Sequence, residues 1–241
     1  MTKMILEVKD LVSGYGKVEV VHGVSLEAEE TKITGIIGPN GSGKSTILKS
    51  IYGYLRPWRG SVVFDGQDVT GRPPHLIKEI GISYVMQRRS AFPYLTVEEN
   101  LRMGAWIFRN DKEKVKDAID DIYERFPRLK ERRNLRAGSL SGGEQRMIEL
   151  GGAMMTKPKL IILDEFSTGL SPKIFKELYQ HLIDMSRSGG ITILAVDQNV
   201  VEIANVADHL YVLKLGRNHA EGPIENFRGR LEEVTRDWLR A

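Results

Sequence analysis

The stretch GPNGSGKST, running through Gly38, Pro39, Asn40, Gly41, Ser42, Gly43, Lys44, Ser45 and Thr46, contains the pattern G-x-x-x-x-G-K-[ST]. Glycines let a backbone fold close around an anion and turn its N–H groups inward. A lysine at the spacing of Lys44 reaches the β/γ-phosphates of a bound polyphosphate, and a hydroxyl at the spacing of Ser45 sits on Mg²⁺. Such a loop needs a strand to launch it and a helix to receive it. Ile33–Ile37 reads as a short buried strand. Thr46 to Tyr52 reads as a helix whose positive N-terminal end faces the phosphates.

Two further stretches carry chemistry. Leu160-Ile161-Ile162-Leu163-Asp164-Glu165 is four apolar residues ending in two acids. A buried parallel strand reads as a continuous apolar run, and ligands bind beyond the carboxyl ends of such strands. That places Asp164 beside the phosphate loop, where it helps to hold Mg²⁺, and Glu165 one residue further out, positioned to polarise an attacking water. Leu140-Ser141-Gly142-Gly143-Glu144-Gln145 puts a serine and two glycines at the start of a predicted helix, a second anion-binding helix end. One nucleotide does not obviously need two such devices in one chain.

The elements that must position these residues alternate in character. The first thirty residues read as β: Ile5, Glu7 and Lys9 alternate with Leu6 and Val8, and Val18 to Leu26 is rich in branched residues. Gly60 to Phe64 and Gly81 to Val85 are further strands. From about Thr96 to Thr156 the pattern is helical; Val115, Ala118, Ile119, Ile122 and Phe126 recur at helical spacing, and Asn110 with Glu113 reads as a capping box. Strands then return at Leu160–Leu163, Thr192–Val196 and Tyr211–Leu213, with helices from Pro172 and Asn199 between them. Strand–helix alternation implies an α/β fold with a mainly parallel sheet. The expected organisation is one domain over 1–241, with an α/β core of 1–87 and 158–241 and a helical insert of 88–157. Leu231, Val234 and Trp238 share one face of a C-terminal helical pattern.

The 241 residues are 41% hydrophobic and 28% charged, the composition of a globular protein. No apolar run approaches the roughly 18 residues of a membrane span. Charges within MTKMILEVKD argue against a signal peptide. Absence of cysteine excludes a disulfide framework and thiolate chemistry. The net charge is +3 and the pI about 9.0, but the charges are interspersed and no block of one sign points to nucleic acid.

Together the phosphate loop, LSGGEQ and LIILDE resemble the ATP-binding-cassette ATPases, in that family's order and over nearly the whole chain. The resemblance implies a P-loop NTPase core, an N-terminal antiparallel β subdomain and a helical subdomain carrying the signature LSGGEQ. It implies ATP and Mg²⁺ as cofactors. Two cassettes, in a homo- or heterodimer, pair head to tail, so that each ATP lies between the phosphate loop of one and Ser141, Gly142 and Gly143 of the other. By the same resemblance Tyr15 stacks on adenine, Gln87 contacts Mg²⁺ and leads into the helical subdomain, Ser45 and Asp164 complete the metal site, and Glu165, Lys44 and Gln198 serve hydrolysis. Ser167 to Pro172 matches the loop that crosses to the partner.

Three positions depart from the family pattern: Ser171 replaces an aspartate of the crossing loop, Phe166 a proline, and Gln198 a histidine that touches the γ-phosphate. Gln198 can donate a neutral hydrogen bond but carries no charge. Its context AVDQN, with LTVEENLRMGA and STGLSP, resembles one ATPase subunit of branched-chain amino acid importers and of related urea/amide importers, although many of those have glutamate-glycine near Gln87. The expected role is an ATPase subunit on the cytoplasmic face of the cell membrane, working with integral permease subunits and a solute-binding protein. An exporter or lipid cassette, or a cassette without a transport role, is the alternative.

Overall fold

A computed structural model describes residues 3–88, 90–168, 170, 172–197 and 200–231. In chain order the elements are β1 (Met4–Tyr15), β2 (Val18–Glu29), β3 (Ile33–Ile37), α1 (Lys44–Ile51), β4 (Arg59–Phe64), β5 (Gln67–Asp68), α2 (Pro74–Glu79) and β6 (Ile82–Val85). Then come α3 (Val97–Gly104), α4 (Lys112–Arg125), α5 (Pro127–Glu131) and α6 (Gly142–Met154). The chain continues through β7 (Leu160–Asp164), α7 (Pro172–Arg187), β8 (Thr192–Val196), α8 (Val200–Val206), β9 (His209–Lys214) and β10 (Arg217–Pro223).

Two sheets result. The first is antiparallel, in the order β2-β1-β4-β5. The second runs β10-β9-β3-β8-β7-β6 and is parallel except for its β9–β10 edge. Strands β3, β7 and β8 are buried at every residue, as continuous apolar runs in a two-sided parallel sheet must be. Between the sheets lies one core, in which Ile47, Leu48 and Ile51 of α1 meet Leu6 and Val8 on one side and Ile36, Ile162 and Leu194 on the other. A second core joins the opposite sheet face to α3–α7, through Leu101, Ile122, Ile148, Ile161 and Leu178.

Helix α4 buries Val115, Ala118, Ile119 and Ile122, with Phe126 just beyond its end. Its start corrects the sequence reading. Asp111, not Asn110, is the N-cap and accepts from the Lys114 amide, so the expected Asn110–Glu113 capping box does not form. Both residues suit an N-cap, and the apolar phase of the helix does not choose between neighbours. Reciprocal capping boxes do form at α3, between Thr96 and Glu99, and at α6, between Ser141 and Glu144. Leu231 packs half-buried against the helical-side core, while Val234 and Trp238 lie outside the described residues, as do Ser171, Gln198 and Asn199.

Candidate active site

The loop between β3 and α1 sits at the carboxyl end of the parallel sheet, the ordinary ligand edge of such a fold. Its tightness has a steric cause. A Cβ on Gly38 would lie 2.5 Å from the Leu213 carbonyl and 2.6 Å from Ser42 Oγ. Gly43, at φ 96°, caps α1, and the helix begins at Lys44, two residues earlier than its apolar pattern suggests. Lys44 is 5% exposed. Its ammonium donates to the carbonyls of Gly38 (2.8 Å) and Pro39 (3.0 Å), so the loop closes on its own lysine. Burial lowers the Lys44 pKa, and the charges of Glu165 and Asp164 oppose that shift.

Ser45 and Asp164 come together from opposite ends of the chain. Ser45 Oγ donates to Asp164 Oδ1 at 2.8 Å, while the Tyr84 hydroxyl donates to Asp164 Oδ2 at 2.7 Å. Glu165 follows β7 in the left-handed region, at φ 46°, and its amide donates to the Val196 carbonyl of β8 at 2.8 Å. A non-glycine residue held there carries local backbone strain of a kind that clusters at working sites. Glu165 is 6% exposed, and its Oε2 accepts a hydrogen bond from Gln87 Nε2. Gln87 itself is exposed, two residues past β6.

A cleft of about 280 Å³ is lined by Tyr15, Val20, Asn40, Gly41, Gly43, Lys44, Ser45, Thr46 and Glu165. Tyr15 ends β1 and is half exposed, with the Lys49 ammonium 5.7 Å from its ring centroid and within hydrogen-bond distance of its hydroxyl. The cleft fits a nucleotide: an aromatic face at one end, a tightly wound glycine loop at the other, and a buried cation between. Ser42 Oγ adds a buried polar atom without a hydrogen-bond partner, beneath the same loop. The donor set near Asp164 is oxygen-rich and fits Mg²⁺, which takes one or two carboxylates plus phosphate oxygens rather than an all-protein cage. Among the described residues there is no cluster of three or more His, Cys, Asp or Glu able to bind a metal.

Ser141, Gly142 and Gly143 do not line this cleft. They begin α6, where Ser141 is exposed and Gly142 half exposed. Gln145 Nε2 donates to the Ala137 and Leu140 carbonyls and fixes the approach to the helix. Gly143 is buried for packing: a Cβ there would lie 2.2 Å from Ile174 Cγ2 of α7.

Several residues bearing on the site escape notice in the sequence. Tyr84 is one. Another is Asp197, 2% exposed, which accepts from Ser167 Oγ (2.6 Å), the Ser167 amide (3.3 Å) and the Tyr179 hydroxyl (3.0 Å). It ties the start of the 167–172 loop to the end of β8, one residue before Gln198. The remaining pair, Arg146 and Glu149, had an available signal: two opposite charges in α6 at i, i+3, set among Met147, Ile148 and Leu150.

Residues 21–168 match the family model described as ABC transporter. The chain is 43% identical over 203 residues to the high-affinity branched-chain amino acid transport ATP-binding protein BraG of Pseudomonas aeruginosa, covering 84% of this chain and 86% of that one. It is 38% identical over 213 residues to the probable branched-chain amino acid transport ATP-binding protein LivF of Archaeoglobus fulgidus, covering 88% and 89%. Among solved structures, an ATP-binding cassette of an ABC transporter in its ADP conformation superposes with a TM-score of 0.87 at 32% identity, over 97% of this chain and 98% of that one.

Proposed function

Because the chain belongs to the ABC transporter family and is an ATP-hydrolysing cassette, we propose that it energises a membrane importer of branched-chain amino acids or related small polar solutes. The observation that carries the catalytic part is the convergence, at one sheet edge, of Lys44, the Ser45–Asp164 pair and the Gln87–Glu165 pair. The transport names of BraG and LivF, at high coverage of both chains, support the substrate class.

In this reading ATP lies in the 280 Å³ cleft with its base on Tyr15 and its phosphates in the loop of 38–46. Lys44 exchanges its two carbonyl partners for phosphate oxygens, a stronger charged pairing. Ser45, Asp164 and Gln87 would hold Mg²⁺, which would supply positive charge to offset that on the transferred phosphoryl group. Glu165 orients a water and takes its proton as the water oxygen bonds to the γ-phosphorus. The bond from that phosphorus to the bridging oxygen breaks, and ADP keeps the bonding electron pair. The exposed start of α6 serves the nucleotide of a second cassette, which explains why Ser141, Gly142 and Gly143 stand outside their own chain's cleft.

Among the described residues no helix is long and apolar enough to cross a membrane. In the complex the transport path then lies in separate permease subunits, with this chain on their cytoplasmic face and a solute-binding protein delivering the solute. The test is purification of the tagged chain from its own membranes, followed by vesicle reconstitution of the complex. Uptake of leucine, isoleucine or valine should require ATP and stop with Glu165→Gln. A complex that moves none of them would overturn the substrate class.

A further inference from the structure

Arg146 is 2% exposed and among the largest fully buried side chains described. Its Nη1 donates to Glu149 Oε2 at 2.7 Å and to the Met86 carbonyl at 3.1 Å, and its Nη2 donates to the Gln87 carbonyl at 2.6 Å. Glu149 is also buried, and its other oxygen accepts from the amides of Ser90 and Ala91. One turn of α6 therefore grips both ends of the segment 86–91. The guanidinium also lies 5.4 Å from the ring centroid of Phe166, the residue after Glu165.

Stability does not explain such a pair. Burying two charges costs desolvation, and well-packed apolar replacements are often as stable or more so. What the pair supplies is position. Gln87 is exposed, yet its carbonyl is fixed from below by Arg146 while its side chain reaches Glu165. We propose that Arg146 and Glu149 are positioning residues for hydrolysis: they latch the backbone of 86–91 to the signature helix and so set the Gln87 side chain against Glu165. The latch makes the first turns of α6, which begin at Gly142, and the segment bearing Gln87 move as one piece. A displacement of either is delivered to the catalytic carboxylate. This rests on the roles given above to Gln87 and Glu165.

The test is a mutant cycle on the full chain, reading kcat, the ATP dissociation constant and Tm. Arg146→Lys keeps the charge but loses the fork. Arg146→Met combined with Glu149→Leu removes the latch without leaving an unpaired buried charge, and so keeps the fold. Both should lower kcat about tenfold, the effect of losing a charged hydrogen bond that fixes geometry. The ATP dissociation constant should stay within about twofold, and Tm of the apolar pair should not fall. In a Gln87→Ala background the same changes should cost less than about twofold, because residues acting through one another are not additive. An undiminished loss in that background, or a wild-type kcat in the apolar pair, overturns the latch. A wild-type rate in Gln87→Ala alone removes the role of Gln87 itself, and shows it before either latch residue is touched.

Discussion

Tyr84→Phe deletes one oxygen and leaves the rest of the site standing. The ring stays stacked on Tyr52, with centroids 5.2 Å apart, and edge-on to Tyr54 at 5.8 Å, so the packing survives. What goes is the hydrogen bond at 2.7 Å to Asp164 Oδ2, in a carboxylate only 2% exposed. Asp164 then keeps Ser45 on Oδ1 but has lost the donor that fixes its rotation. A hydrogen bond to a charged group contributes about 1.5–3 kcal/mol. Loss of an outer partner of a metal-holding carboxylate typically weakens metal affinity by about 10–100-fold, which is the same magnitude. The expected outcome is a rise of about 10–100-fold in the Mg²⁺ concentration for half-maximal ATP hydrolysis, with kcat recovered at saturating Mg²⁺. ATP binding without Mg²⁺ should be unchanged. The assay is ATPase rate against Mg²⁺ at fixed excess ATP. An unchanged half-saturation point, or a defect that Mg²⁺ cannot rescue, would show that Tyr84 does not hold Asp164 for the metal.

Lys44→Ala should weaken ATP binding by about tenfold to a hundredfold in isothermal titration, the loss of at least one charged hydrogen bond; an unchanged dissociation constant would separate Lys44 from the phosphates. Ser141→Arg should abolish hydrolysis while single chains still bind ATP normally. Mixing those chains with Lys44→Ala chains should restore activity, because both lesions then fall on one composite site and the other is intact; no recovery on mixing would count against head-to-tail pairing. Asp65 bridges Lys159 and Lys3, whose hydrogen bonds hold its carboxyl down at about 2. Its folded pKa lies below the unfolded value, so its contribution is present above about pH 4 and fades as pH falls toward 2. The gap in urea midpoint between wild type and Asp65→Asn should be open at about pH 5–8 and close as pH falls from about 4 toward 2; a gap that persists at pH 2 would have another origin.

The central strands were legible because a parallel sheet buried on both faces leaves no polar alternation: Ile33–Ile37, Leu160–Leu163 and Thr192–Val196 announce themselves as apolar runs. The phosphate loop was legible because its chemistry is local, with Lys44 and its carbonyl partners five and six residues apart. Helix α2 is not legible in the sequence, since only Ile77 of its six residues is buried and no periodicity emerges. Strand β10 is illegible for a related reason: it is a polar edge strand that pairs with β9. The contacts that fix the site's geometry were illegible on different grounds. Tyr84 reaches Asp164 across 80 residues, Arg146 reaches Gln87 across 59, and Ser167 reaches Asp197 across 30. Spacing along a chain encodes local chemistry, while these pairs exist only once the sheet order has put β6 beside β7 and β7 beside β8.

The most direct measurement is made on Glu165→Gln, with ATP and Mg²⁺ at saturation, by sizing chromatography alongside a steady-state hydrolysis assay. Glutamine keeps the shape of the side chain but cannot take a proton from water, and a general base typically contributes about 10²–10⁴-fold in rate. Hydrolysis should fall by that order while ATP affinity is kept, and the chain should elute as a nucleotide-bound dimer that wild type forms only transiently. Near-normal hydrolysis by Glu165→Gln, or loss of ATP binding with no dimer at saturating nucleotide, would contradict the assignment of Glu165 as the group that activates water between two paired cassettes.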